Sequence, residues 1–168
     1  MTAPSFFRFL FFLVVPLLAK AGDWPTWRGP NGNGQSDEQD APAKWSATEN
    51  VSWKVSLPGP GNSSPIVAKG KVFVTQATED GKRRALLCFD RRTGKKLWER
   101  ATSFPGKEPT HKTNPYCAAS PATDGKVIVV SHGSAGLVAY DFEGKEIWQR
   151  NDLGPQRHIW GNASSPLP

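Results

Sequence analysis

Three histidines, His111, His132 and His158, are the side chains of this 168-residue chain whose ordinary pKa lies near neutral pH. Lys112, Asn114 and Tyr116 follow His111 closely, and Arg157 and Trp160 flank His158. Cations, an amide and aromatic rings in one neighbourhood suit the gripping of a peptide or a glycan. The competing reading is that these are ordinary surface-loop residues with a few packing contacts. Zinc is not indicated, because the histidines lack the short paired spacing of zinc sites. A serine nucleophile is not indicated either: Gly133-Ser134-Ala135-Gly136 is a small-residue loop and not a Gly-x-Ser-x-Gly elbow. No catalytic, cofactor-binding or metal-ligating residue is assigned.

The two cysteines, Cys88 and Cys117, are the remaining reactive groups. Cys88 falls on the third strand of one repeat and Cys117 just before the first strand of the next. A bridge needs Cα atoms within about 7 Å, whereas packed sheets lie about 10 Å apart. Two buried or half-buried free thiols are expected, packing as small hydrophobes.

The elements that carry these residues repeat. Cys88-Phe89-Asp90-Arg91-Arg92-Thr93-Gly94-Lys95-Lys96-Leu97-Trp98 returns as Ala139-Tyr140-Asp141-Phe142-Glu143-Gly144-Lys145-Glu146-Ile147-Trp148, with the tryptophans 50 residues apart. Ser64-Pro65, Ser120-Pro121 and Ser165-Pro166 recur in the same order. A period of this length signals a solenoid, propeller or array.

Each repeat reads as four strands bounded by Gly, Asp and Pro. The first comprises 64–68, 72–75, 85–89 and 96–99; the second comprises 120–122, 127–130, 137–140 and 146–148. Val127-Ile128-Val129-Val130 and Ala85-Leu86-Leu87 are continuously apolar, which implies burial on both faces. A four-stranded sheet with neighbours on both sides is a propeller blade. Asp90 and Asp141 should accept backbone N–H groups across the third turn, and Gly94 and Gly144 should take its positive-φ position. Trp98 and Trp148 should cover the gap to the adjacent blade. Val51-Ser52-Trp53-Lys54-Val55 has fourth-strand character with no first three strands before it.

Arg8 precedes the apolar run 9–18, and Ala19-Lys20-Ala21 supplies a small-x-small cleavage pattern, so residues 1–21 read as a secretory signal peptide. An uncleaved amino-terminal anchor is the alternative. No later stretch approaches the roughly 20 apolar residues of a bilayer span. The net charge is +6; without Arg8 and Lys20 it is +4, with 19 basic residues against 15 acidic ones. The basic residues are spread, and the clusters Lys82-Arg83-Arg84 and Arg91-Arg92 fall at hairpin ends, where they are expected to keep strand ends soluble. This does not suit nucleic acid, whose binders concentrate cations on one face.

The pattern small-x-Asp-x-x-Thr-Gly-x-x-x-Trp, with Ser-Pro opening the next unit, resembles the repeat of the pyrroloquinoline-quinone-type, BamB-like β-propellers. The opening Trp24-Pro25-Thr26-Trp27-Arg28-Gly29-Pro30-Asn31 resembles the mature start of exported propellers of that kind. Two departures stand out: Cys88 fills a slot usually held by Ala, and the second turn is one residue short and lacks the Thr.

The expected fold is all-β, a β-propeller of four-stranded antiparallel blades. Residues 22–50 form an extended amino-terminal segment, and 51–168 a partial propeller. That part has a closing strand at 51–55, blades at 63–100 and 118–150, and the start of another at 162–168. The resemblance implies about eight blades in a full ring, so an amino-terminal fragment with an exposed blade edge is expected.

In an up-and-down blade, the loop joining strands two and three and the loop leading to the next blade share one face, which gathers the three histidines there. The function expected from the resemblance is that of an exported, periplasmic or extracellular, non-catalytic scaffold. It would bind a protein or envelope polymer through His111, Lys112, Asn114, Tyr116, His132, Arg157, His158 and Trp160. The alternative is a fragment of a quinone-dependent dehydrogenase. Those enzymes add an adjacent cysteine pair and calcium ligands, so no cofactor is assigned here, with quinone and calcium left open for the missing blades. Asp90, Gly94, Trp98, Asp141, Gly144 and Trp148 are assigned to architecture.

Overall fold

The computed structural model describes residues 22–167; the signal-peptide assignment lies outside them. Among the described residues eight strands form two antiparallel sheets, in the orders β1-β2-β3-β4 and β5-β6-β7-β8. The first consists of β1 (Ile66–Ala68), β2 (Lys71–Thr78), β3 (Arg83–Asp90) and β4 (Lys96–Ser103). The second consists of β5 (Ala122–Thr123), β6 (Ile128–Ser131), β7 (Leu137–Tyr140) and β8 (Glu146–Arg150). A 3-10 turn at Gly133–Ala135 is the one helical element described. The chain is all-β, and its sheets are propeller blades.

Several boundaries differ from the sequence expectation. β2 and β4 run on to Thr78 and Ser103 because their ends pair across β3, Thr78 with Arg83 and Arg83 with Ser103. Polar residues there read as loop because they carry no apolar alternation. Val51–Val55 is not a strand, since it has no ladder partner among the described residues. Residues 162–167 likewise form no strand.

The register explains the repeated signature. Phe73 pairs with Cys88 and Cys88 with Trp98; in the second blade Val129 pairs with Ala139 and Ala139 with Trp148. Both ladders shift register at the same place, after Cys88 and after Ala139. Asp90 Oδ1 accepts from the Thr93 N–H at 2.8 Å and the Thr93 hydroxyl at 2.7 Å, while the Lys95 N–H turns to the Thr93 hydroxyl at 3.3 Å. The shorter second turn needs no threonine: Asp141 Oδ1 reaches the Lys145 N–H directly at 2.7 Å. Gly94 (φ 70°) and Gly144 (φ 82°) take the left-handed position.

The blades interlock through tryptophan. Trp98 donates Nε1–H to the Phe142 carbonyl at 3.1 Å and lies on Gly144, where a Cβ would stand 2.8 Å from the ring. Trp53 does the same one blade earlier. Its Nε1–H donates to the Arg91 carbonyl at 2.8 Å, and its ring lies on Gly94, where a Cβ would stand 2.6 Å away. So Trp53 occupies a fourth-strand position although its segment forms no strand. Trp148 stays 40% exposed.

One core spans both blades: Ile66, Phe73, Leu86 and Cys88 pack with Ile128, Val130, Val138, Tyr140 and Phe142. A second cluster, Val74, Ala85, Leu87 and Phe89, fills the other face of the first blade. Burial on both faces therefore holds for β3. It does not hold for β6, where Ile128 and Val130 are buried but Val127 and Val129 beside them are half-buried. No sheet covers that side of the second blade among the described residues.

Backbone amides are satisfied across the blades as well. The Ser64 N–H donates to Ser120 Oγ at 2.8 Å, and the Ser120 N–H to Ser165 Oγ at 3.0 Å. The amino-terminal segment binds both sheets at their inner edges: Trp24 bridges to Val67, and the Thr123 N–H donates to the Pro25 carbonyl at 3.0 Å.

Candidate functional site

The loops after β4 and β8 and the loop between β6 and β7 meet on one side of the molecule. Glu108 Oε2 accepts the Ser134 N–H at 2.7 Å, and Ser134 Oγ accepts the Gln156 N–H at 2.9 Å. These two bonds tie all three loops together.

At the outer part of this face, His111 and Asn114 exchange backbone hydrogen bonds at 3.3 and 2.8 Å, closing a tight turn. The turn presents the His111 ring edge-on to Trp160, with centroids 4.6 Å apart. Asn114 Nδ2–H donates to the Trp160 carbonyl at 2.5 Å, and the Gly161 N–H closes back onto His158 O at 2.9 Å. His111, Asn114, His158 and Trp160 are thus brought together. Trp160 is 53% exposed and Ile159 71%, an apolar tip on a polar base. Lys112, Arg157 and His158 are exposed, and none forms an ion pair among the described residues.

Tyr116 and His132 do not join that surface. His132 is 1% exposed; it opens the β6–β7 loop at the foot of the face, where its backbone enters the interior. Burial, and then the nearby Arg84 charge, push its pKa down to about 3, so the ring is neutral. Its Nδ1 lies 3.9 Å from Cys117 Sγ, and its Nε2 has no hydrogen-bond partner. Tyr116 turns inward to pack on Arg84, and its hydroxyl donates to the Glu108 carbonyl at 3.2 Å.

Arg84 is the residue that sequence reasoning misplaced. It was expected at a soluble hairpin end, yet it is 2% exposed. Its guanidinium pairs with Glu108 at 2.8 Å, donates to the carbonyls of Gly81 and His132, and lies between the Phe104 and Tyr116 rings. The signal was available: alternation along β3 puts Arg84 on the same face as the core residues Leu86 and Cys88. Its partner was not readable, because Glu108 lies on the loop beyond β4.

A cleft of about 630 Å³, also missed from the sequence, opens where the amino-terminal segment meets the Ser-Pro elements. Trp27, Arg28, Asn62, Asn114, Ser120 and Leu167 are among its lining residues, and Asn114 links it to the loop face.

Both cysteines are free and buried, as expected. Burial pushes each thiol up to about 12, which makes them poor nucleophiles. No three His, Cys, Asp or Glu side chains converge as metal ligands among the described residues. The described residues thus supply neither an adjacent thiol pair nor a cluster of three such ligands.

No curated protein matches the chain. Among solved structures it is similar to BamB from Moraxella catarrhalis, at 19% identity over 59% of this chain and 26% of that one, with a TM-score of 0.41. It is also similar to a europium-containing methanol dehydrogenase, at 18% identity over 60% of this chain and 19% of that one, with a TM-score of 0.42. A third is the quinohemoprotein alcohol dehydrogenase ADHIIG from Pseudomonas putida HK5, at 26% identity over 53% of this chain and 13% of that one, with a TM-score of 0.37. The chain thus spans about a quarter or less of the length of these proteins. The family model described as outer membrane protein assembly factor BamB matches residues 36–159, the greater part of the sequence and both blades, and the chain belongs to that family.

Proposed function

We propose that this chain is part of an exported, non-catalytic propeller that docks a protein or cell-envelope polymer through the loop face around Trp160. The supporting observation is the node in which His111 and Asn114 hold Trp160 in place while leaving it half exposed, with Lys112 and Arg157 exposed on the same two loops. A large ring fixed before contact loses little conformational freedom on binding, and aromatic and Arg side chains dominate the energetics of many interfaces.

The test uses the full-length exported protein carrying a photo-crosslinking residue at position 158. Partner crosslinks identified by mass spectrometry should vanish when Trp160→Ala, Arg157→Ala and Lys112→Ala are combined. Tyr116 and His132 stay unchanged, because altering them would disturb the Arg84 pocket. Crosslinks that survive the triple change would remove this face. Dye reduction by an alcohol after addition of quinone and calcium would replace the scaffold reading with a dehydrogenase.

A further inference from the structure

We propose that Gly22 is the amino terminus of the mature chain, formed by hydrolysis of the Ala21–Gly22 bond, and that its α-ammonium is held by the Glu38 carboxylate. This rests on the export reading. Two independent observations meet at this one peptide bond.

The first is in the sequence. Ala19 and Ala21 place small residues at the two positions that an export peptidase reads, directly after the apolar run, so the pattern puts the cut before Gly22. The second is geometric. Gly22 N lies 2.5 Å from Glu38 Oε1, and this carboxylate forms no ion pair with another side chain among the described residues.

The neighbouring groups of the same segment are also engaged. The Gly22 carbonyl accepts from Arg91 at 3.3 Å, and the Asp23 carboxylate lies 3.8 Å from the same guanidinium. The other Asp23 oxygen accepts the Lys69 N–H at 3.0 Å, and Trp24 bridges to Val67. From Gly22 onward every residue up to Trp24 is tied to a turn or strand of the first blade.

The chemistry of the cut changes this contact. While Ala21 is attached, the Gly22 nitrogen is a neutral amide with one N–H. Water adds across the bond, leaving a carboxylate on Ala21 and a primary amine on Gly22 that takes up a proton at neutral pH. The nitrogen then carries a unit positive charge and three N–H groups beside a carboxylate. Before the cut only the acceptor is ionised; after it both partners are. Processing therefore strengthens a contact that closes the segment 22–38 into a loop against the first blade.

The experiment expresses the full-length protein in an exporting cell and purifies it from the exported fraction. Amino-terminal sequencing and intact mass should give a chain beginning Gly22-Asp23-Trp24-Pro25. A zero-length carbodiimide, which joins an amine only to a carboxylate in contact with it, should then link Gly22 N to Glu38, as read by peptide mapping. Glu38→Gln should abolish that link while leaving processing and the Arg91 contacts intact. Retention of the precursor inside the cell would overturn the export reading and this proposal together. Export with cleavage at another bond would overturn this proposal alone. Cleavage before Gly22 with no Gly22–Glu38 link would overturn the pairing.

Discussion

The two blades are built from the same repeat, yet they are finished to different degrees. The first has a filled core on each face, the Trp53 ring over its Gly94 turn and the Trp98 ring passed on to its neighbour. The second has one shared core, receives Trp98 on Gly144, and presents an exposed β8 and a half-exposed Trp148. A blade of this type is therefore not an independent unit. Each is completed by what stands on either side of it, as in other repeat architectures where neighbours bury one another.

That contrast can be broken most strongly at the Arg84–Glu108 pair, which joins β3 of the first blade to the loop between the blades, whose Glu108 also holds the Ser134 amide of the second. Glu108→Ala leaves a buried guanidinium without its carboxylate, and the expected loss is about 3–5 kcal/mol by denaturant unfolding of the full-length protein. A loss below about 1 kcal/mol would mean that the loops carry no coupling between blades. Next in size is Trp98→Ala, which empties the space between Phe73, Tyr140 and Gly144 and should cost about 3 kcal/mol. In a chain ending at Pro168, Trp148→Ala should cost well under half as much, and equal losses would erase the distinction between the blades.

The glycines sharpen the same point at smaller scale. Gly144→Ala meets both a left-handed backbone and the Trp98 ring, whereas Gly125→Ala has φ 84° with nothing within 4 Å. The second should lose only about 1 kcal/mol, the left-handed backbone cost, and the first clearly more.

Acid tests His132. Its folded pKa of about 3 lies below the ordinary 6.5, so the unfolded chain binds the extra proton. Stability should fall as pH drops from 6.5 towards 3, and His132→Gln should flatten that slope in pH-dependent melting. The smallest effect concerns the two turns. The Thr93 hydroxyl, more than any other group, holds the Asp90 carboxyl below its ordinary pKa of 3.8. Thr93→Ala should raise the Asp90 midpoint in an NMR titration.

What the sequence revealed and what it hid follow from distance along the chain. The turns, the alternation of strands and the tryptophan positions depend on neighbours within about ten residues or on a repeat that copies itself. The end of β4 depends on a distant pairing, Ser103 with Arg83, whereas the end of β2 pairs locally, Thr78 with Arg83, through polar residues that carry no apolar alternation. Trp53 was recognised as a fourth-strand residue because it shares the Trp98 pattern, yet its segment needed a partner strand to become β. His111 and His158 lie on two loops that meet at Trp160. Counting strand reversals places a loop but not the depth of its side chains: His132 is buried, since Phe104, Tyr116 and Glu108 close over Arg84 there from a different loop. The cleft beside Arg28 needs three segments to meet, and no local pattern encodes that.

The serine ladder has a consequence for how such a protein can change in length. Ser120 Oγ accepts the amide of Ser64 in the unit before it, and the Ser120 amide donates to Ser165 in the unit after it, so this repeat brings one acceptor and one donor to the ladder. A gene duplication that inserts a whole repeat adds one of each, so the count of donors and acceptors still matches on both sides of the insertion. A propeller stitched in this way can gain or lose a blade in evolution without stranding a buried amide.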